Sequence, residues 1–452
     1  MSGNSAPQLA RRLGLFSASC LVVSNMVGTG IFTATGFLAA DLGSPVLILA
    51  IWPIGALLVL AGALCYAELG VNFPRSGGEY VYLSQAWGAA WGFVDGWVSF
   101  FAGFSAPIAV AAMAAVAYLG HVVPMLQLSS RSGFGLHLEP ATVLACLIVA
   151  LLTGWNVWGV GRAAGLQNWL TGFKVAVILS FIVGGFAFGD GSWGHFGQGT
   201  ERSSSRHLFD QFAISLIFIT FAYSGWNAAT YVGDELKTPQ HTLPRSLVLG
   251  TLLVAAIYLA LNVLYLYALP LAAMKGVIGI GASAAHELFG PGIADSFSVL
   301  MAVSLLATVN AMVMIGPRVY YAMAKDGAFL RVAARVHPRW QTPWIAIILQ
   351  GACCCALIVT GTFEGLIYYI GFTLVLFSAL AVASLLLFRR RPDWIKLRSV
   401  SFAYPLLPLA YLTTSCWILG HTLVSRGWEA SLSLLTLLLG GLIYRWRHRR
   451  GN

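Results

Sequence analysis

Apolar residues in this chain neither alternate with polar ones nor recur as narrow stripes at helical spacing. They run on in long blocks at 13–40, 45–70, 87–119, 140–159, 166–189, 208–236, 245–269, 292–323, 343–361, 364–388, 402–424 and 428–445. About 20 consecutive apolar residues make a helix that crosses a hydrocarbon core of roughly 30 Å. The pattern therefore predicts an all-α integral membrane protein with 12 transmembrane helices. An even number of spans places both chain ends on one side.

Composition agrees, because 58% of the 452 residues are hydrophobic and 9% are charged, against about 25% charged in a soluble domain. A soluble globule is excluded. The net charge of +10 takes its meaning from where the cations fall. Connections on the N-terminal side hold twenty Lys and Arg, among them Arg11, Arg12, Arg75, Arg162, Lys237, Arg318, Arg389 and Arg445. The opposite side holds five, Arg131, Arg202, Arg206, Lys275 and Arg426, and Lys174 sits within a block. This bias predicts a multi-pass protein of the plasma (inner) membrane with both termini cytoplasmic. The positive charge is then a topological signal addressed to the lipid bilayer and no nucleic acid is implied.

Seven cysteines, Cys20, Cys65, Cys146, Cys353, Cys354, Cys355 and Cys416, lie inside apolar blocks without paired ligand spacing. They read as small core residues, with no metal and no disulfide. The polar stretch 1–12 precedes a block too long for a signal-peptide core and lacking a convincing cleavage site.

Two blocks look interrupted. As one straight helix, Leu13 to Asp41 would be about 43 Å long, and it carries Gly28, Thr29 and Gly30 near its middle. The block 208–236 carries Ser224, Gly225, Trp226 and Asn227 at the matching place. Small residues also serve close helix packing in membranes. Paired at corresponding positions of two five-span halves, however, such breaks point to a substrate site near the bilayer midplane.

Four stretches carry a resemblance to a known family. They are Val27–Phe32 (VGTGIF), Phe73–Tyr82 (FPRSGGEYVY), Ala222–Arg245 (AYSGWNAATYVGDELKTPQHTLPR), and Gly316–Pro343 with its GPRVYYAMAKDG and VHPRWQTP. In order and spacing the chain resembles the amino acid-polyamine-organocation (APC) superfamily of transporters, most of all its L-type amino acid transporter branch. That resemblance implies the LeuT-type 5+5 inverted repeat with spans 1 and 6 broken. It divides the chain into a tail (1–12), a first repeat (13–189), an inverted second repeat (208–388), spans 11 and 12 (402–445) and a basic tail (446–452).

Unwound backbone at membrane depth persists only where a ligand or cavity satisfies it, and an amino acid zwitterion supplies both complements. N–H groups of Thr29, Gly30 and Ile31 open the second half-helix and suit a carboxylate. Carbonyls around Asn25, Met26 and Val27, with those near Phe221, Ala222 and Ser224, suit an α-ammonium. Gly28, Gly30 and Gly225 permit an approach that a Cβ would block, and Gly30→Val is expected to fill the carboxylate's space. By resemblance Phe221 matches the family's aromatic gate, although an aromatic here also reads as ordinary lining. Trp226 and Asn227 are expected to face the substrate side chain, and Asn227 stands where some carriers of cations have an acid.

Charges inside spans are few and informative. Lys174 lies about eight residues, roughly 12 Å, into the fifth span. It matches the lysine of sodium-independent relatives, where the resemblance implies that its ammonium replaces a sodium ion and ties the first half of span 1 to span 8. Snorkelling to the interface is the plain alternative. Asp95, at similar depth in span 3, reads as a partner for Lys174, a proton site, or a residue of the cytoplasmic end. Glu68, Asp234 and Glu235 near Arg75 and Lys237, and Arg318 with Asp326, read as solvated pairs at an inner gate or as part of the loop structure. His121, His137, His195 and His207 fall in outer connections.

Gly28 and Gly30 are followed by Thr33 where a dinucleotide fingerprint requires glycine, and neither a Walker A sequence nor H-E-x-x-H occurs. No cofactor is implied, and in-span acids and histidines are too sparse for an enzyme. No filter residues repeat, as a channel requires. The sequence thus reads as a sodium-independent secondary transporter, an exchanger of neutral L-amino acids working by alternating access. The alternatives are a cationic amino acid or polyamine exchanger and a proton-coupled amino acid symporter. Nothing in the sequence specifies an accessory subunit.

Overall fold

A computed structural model describes residues 9–120, 122–127, 139–203, 205–277, 279–360, 363–425 and 427–451. His121, Arg131, His137 and Arg426, and residues 1–8 of the tail, lie outside the described residues. The helices run in the order α1 (Leu15–Met26), α2 (Gly30–Leu42), α3 (Pro45–Asn72), α4 (Glu79–Trp87), α5 (Ala89–Val98), α6 (Ala106–Gly120), α7 (Pro140–Val157), α8 (Val160–Phe188) and α9 (Leu208–Ala222). They continue as α10 (Pro239–Ala268), α11 (Leu271–Met274), α12 (Ile280–Phe289), α13 (Pro291–Lys325), α14 (Trp344–Thr360), α15 (Phe363–Phe388), α16 (Arg398–Ser401), α17 (Leu406–Ser425) and α18 (Gly427–Gly451). The architecture is all-helical among the described residues, with one isolated bridge pairing Leu13 and Leu236.

Local chemistry sets many of these boundaries. Proline opens α3, α7, α10 and α13, where its missing N–H costs nothing because the first turn has no acceptor for it. Gly43, with φ of 61°, ends α2. Helices also outlast their apolar blocks. α8 begins at Val160 and not near 166, and α10 at Pro239 and not near 245, because intrahelical hydrogen bonding continues through the polar turns.

Among the described residues seven helical runs, one of them the continuous Ala89–Gly120, are long and apolar enough to cross a membrane, and an eighth span results if α1 and α2 are taken together. Leu208–Ala222, Trp344–Thr360 and Phe372–Phe388 are apolar but shorter. The outer faces of α3, α7 and α8 carry Val46, Leu57, Leu151, Val183 and Phe188, each more than three-fifths exposed. An apolar exterior is what a lipid solvent selects.

Inside, α1 packs on α8, α10 and α13, while α2 packs on α9. α5 passes into α6 through a π-helical segment, Ser99–Ser105, a local widening often found beside functional sites.

Candidate functional site

α1 stops at Met26, and α2 starts at Gly30 after a 40° bend. Opposite, α9 stops at Ala222, and a 3₁₀ helix, Ala228–Glu235, follows. The two interruptions face one another across a cavity of about 100 Å³, small beside the roughly 300 Å³ at which drug-sized pockets begin. Of the residues singled out from sequence, Asn25, Met26, Gly28, Thr29, Gly30, Phe221, Ala222, Ser224, Gly225 and Asn227 line it. Thr29 and Gly30 open α2, so their N–H groups lack intrahelical acceptors. Asn25 Oδ1 is buried and has no hydrogen-bond partner among the described residues.

Other residues of these breaks are placed away from the cavity or serve packing. Val27 and Ile31 are buried in packing, away from the cavity. Trp226 turns from it altogether and packs edge-on against Tyr66, ring centroids 4.7 Å apart, and against Tyr411 at 6.0 Å. A Cβ at Gly30 would lie 2.6 Å from Ala222 Cα, so that glycine lets α2 and α9 touch and does not keep space for a carboxylate. At Gly28 the nearest atom to a Cβ would be Met26 O at 4.0 Å, which is open space. Gly225, with φ of 92°, adopts a backbone conformation that favours glycine and abuts Asn25.

The sequence did not single out Gly103, Phe104, Pro107, Val110 and Ala111 from the π segment and α6, Tyr231, Thr308 and Met312, or Leu374, all of which also line the cavity. Small and apolar residues of this kind carry no signal in a chain so rich in both. A larger cavity of about 500 Å³ between α7 and α14 has almost wholly apolar walls and no convergent polar groups.

Lys174 is buried in the middle of α8, about 21 Å from its start, deeper than the apolar block implied. Its ammonium donates to Val27 O at 2.6 Å, to Ser24 O at 3.3 Å and to Thr308 Oγ1 at 2.7 Å. Among the described residues no acid pairs with it. Thr308 Oγ1 lies 3.1 Å from both carbonyls, so a cation and a hydroxyl together cap the C-terminal end of α1, where the helix dipole favours positive charge. Tyr258 Oη lies 2.7 Å from Met26 O and 3.0 Å from Ala222 O, joining the ends of α1 and α9 through one hydroxyl. The carbonyls of Met26, Val27 and Ala222, expected to meet an ammonium ligand, are thereby engaged by protein donors.

A buried polar chain supports this arrangement. Asn156 donates to Asn310 at 2.8 Å, Asn310 to Gln167 at 2.8 Å and Gln167 to Thr171 at 3.0 Å. Thr171 Oγ1 lies 2.7 Å from Ser24 Oγ, so α7, α13 and α8 are linked to α1.

The acids differ most from expectation. Glu68 and Glu235 are not solvated but fully buried, in ion pairs with Arg389 at 2.6 Å and Arg318 at 2.8 Å. Arg318 therefore pairs with Glu235 and not Asp326, which instead meets Arg75 at 2.9 Å. Lys237 N donates to Leu13 O and Leu13 N to Glu235 O, fastening the start of α1 to the same end of the molecule. Glu79, overlooked in the sequence, is buried and accepts from Tyr66, Asn227 and Tyr231.

Two facing helix ends thus flank a small cavity, and the carbonyl end of one of them, α1, is capped by a buried lysine. The family description "Amino acid permease" matches residues 13–424. The chain belongs to this family. The permease is 30% identical to the serine/threonine exchanger SteT of Bacillus subtilis (strain 168), over 98% of each chain. It is 28% identical to the large neutral amino acids transporter small subunit 2 of Mus musculus, over 99% of this chain and 84% of that one. To the mouse Asc-type amino acid transporter 1 it is 29% identical, over 96% of this chain and 81% of that one. These relatives are transporters and not enzymes, and the apolar helices of this permease fit membrane transport of amino acids.

Proposed function

We propose that this permease is a sodium-independent exchanger of small neutral L-amino acids. It works by alternating access around the cavity between α1–α2 and α9, within a LeuT-type arrangement of 12 spans. In this reading α1 with α2, and α9 with the 3₁₀ segment after it, are the broken first and sixth spans. Residues 13–189 and 208–388 are the inverted repeats, 402–445 holds spans 11 and 12, and both termini face the cytoplasm.

The observation that carries the reading is the Lys174 ammonium bonded to Val27 O, Ser24 O and Thr308 Oγ1. A fixed cation at the carbonyl end of α1 fills the place a coupling sodium would need and repels one. The small cavity suits a short side chain, in keeping with the serine/threonine exchange named for the Bacillus relative. The substrate carboxylate would meet the N–H groups of Thr29 and Gly30, its ammonium Asn25 and Ser224, and its side chain the Phe104, Asn227 and Met312 region. Phe221 would close over it. Arg318–Glu235, Arg75–Asp326 and the clasp on Leu13 then form a closed cytoplasmic gate.

Competition in proteoliposomes tests this directly. Serine, alanine and threonine should displace labelled serine, whereas arginine, glutamate and putrescine should not. Displacement by arginine or putrescine without displacement by serine or alanine would overturn the substrate class.

A further inference from the structure

Among the described residues four acids are fully or almost fully buried, and three are provided for. Glu68 has Arg389, the Trp394 indole and Leu397 N. Glu235 has Nε and Nη2 of Arg318. Glu79 has Tyr66, Asn227 and Tyr231. Asp95, 1% exposed on α5, is the exception: among the described residues neither of its carboxyl oxygens has a hydrogen-bond partner. A buried carboxylate without donor or cation is far costlier than a neutral acid in the same place.

Among the described residues, the elements packed on α5 bring no cation to Asp95. α4 brings Glu79, whose negative charge acts on Asp95, and the 3₁₀ segment and α13 bring the hydroxyls of Tyr231 and Tyr320. The described cations of these elements are engaged elsewhere or exposed. Arg318 holds Glu235, Arg75 holds Asp326, and Lys325 lies over the Tyr321 ring. On α18, Arg447 reaches the carbonyls of 327–329 and Arg445 is exposed. Glu79 has three donors to hold a negative charge and Asp95 has none, so of two neighbouring acids that cannot both be charged cheaply Asp95 is the one left neutral.

Asp95 also lies close to the cavity wall on two sides. Glu79 bonds Asn227 and Tyr231, both of which line it. Asp95 O accepts from Ser99 N at the start of the π segment, and Gly103 and Phe104 of that segment are cavity wall.

We propose that Asp95 is a proton-binding site of this permease, neutral while the gate at Arg318–Glu235 is shut and releasing its proton to the cytoplasm as that gate opens and admits water. The cytoplasmic assignment rests on the transport reading above. By linkage, the state that holds the proton gains population at low pH. Acidifying the cytoplasmic side therefore favours the shut gate, and raising the pH favours opening, by up to about tenfold in the ratio of the two per pH unit.

Two measurements test the proposal. Infrared difference spectra of purified wild type and Asp95→Asn need no substrate. The carbonyl-stretch band of a neutral carboxylic acid should be present in the wild type and absent in the variant. Identical spectra would overturn the proposal, as would a band abolished by sodium chloride, which would make the site one for a metal cation. Should Asp95→Asn fail to fold, wild type labelled with carbon-13 at the aspartate carboxyl answers in its place. The band should shift, and an unshifted band overturns the proposal. In proteoliposomes, serine exchange by the wild type should slow as the cytoplasmic face is acidified, while Asp95→Asn should give a flat profile. Parallel profiles would remove Asp95 from the cycle even if serine exchange itself is normal. Absence of serine exchange in the wild type would count against the transport reading alone, because the infrared result still decides the proton site.

Discussion

Replacing Lys174 by alanine removes the cation that holds the end of α1. Three contacts go, to Val27 O, Ser24 O and Thr308 Oγ1. Hydrogen bonds involving a charged group contribute about 1.5–3 kcal/mol each, so the two to α1 carbonyls together represent about 3–6 kcal/mol. Thr308 lies within reach of both carbonyls and keeps one satisfied, which returns part of that. The closed conformation should therefore lose about 2–3 kcal/mol relative to one in which α1 has swung away and the ammonium is hydrated, a shift of roughly 30- to 150-fold. Exchange assays on proteoliposomes of defined orientation read this as impaired transport and altered apparent affinity, larger on the cytoplasmic face. Thr308→Val, which spares the ammonium, should show a smaller change of the same sign. Normal exchange rates and normal affinities on both faces of Lys174→Ala would refute the reasoning, leaving Lys174 as a structural residue.

Gly28→Val should weaken serine binding in a normally folded protein, because its side chain enters the cavity. Gly30→Ala should instead lower the thermal midpoint by overpacking α2 on α9, at about 1–3 kcal/mol; calorimetry with serine titration separates the two, and the opposite pattern contradicts the geometry. Phe221→Ala should slow exchange more than it raises the serine Kd, as expected of a lid, whereas a pure affinity loss would make it ordinary lining. Glu68→Ala should lower stability by about 3–5 kcal/mol by stranding Arg389, measured as a loss of thermal midpoint that Glu68→Met with Arg389→Met largely restores.

The helices were legible in the sequence because a lipid solvent leaves long apolar blocks, and the α1–α2 interruption was legible because Gly28, Thr29 and Gly30 fall where a straight helix would be too long. Ten lining residues followed from those breaks. What stayed hidden depends on which face a residue presents. Trp226 and Asn227 are neighbours in sequence, yet one turns into an aromatic cluster and the other into the cavity. Pairing was equally illegible, since Glu235 lies near Lys237 in sequence but meets Arg318 in space. Glu79 sits in a connection that reads as solvated, and only the packing of Tyr66, Asn227 and Tyr231 around it shows that it is buried.

The central claim, exchange around a lysine that stands in for sodium, is tested most directly by uptake of labelled serine into proteoliposomes in sodium-free buffer. Vesicles preloaded with serine should accumulate label at least several times faster than empty ones, and an inward sodium gradient should change neither rate. Fast uptake into empty vesicles driven by that gradient would contradict the account.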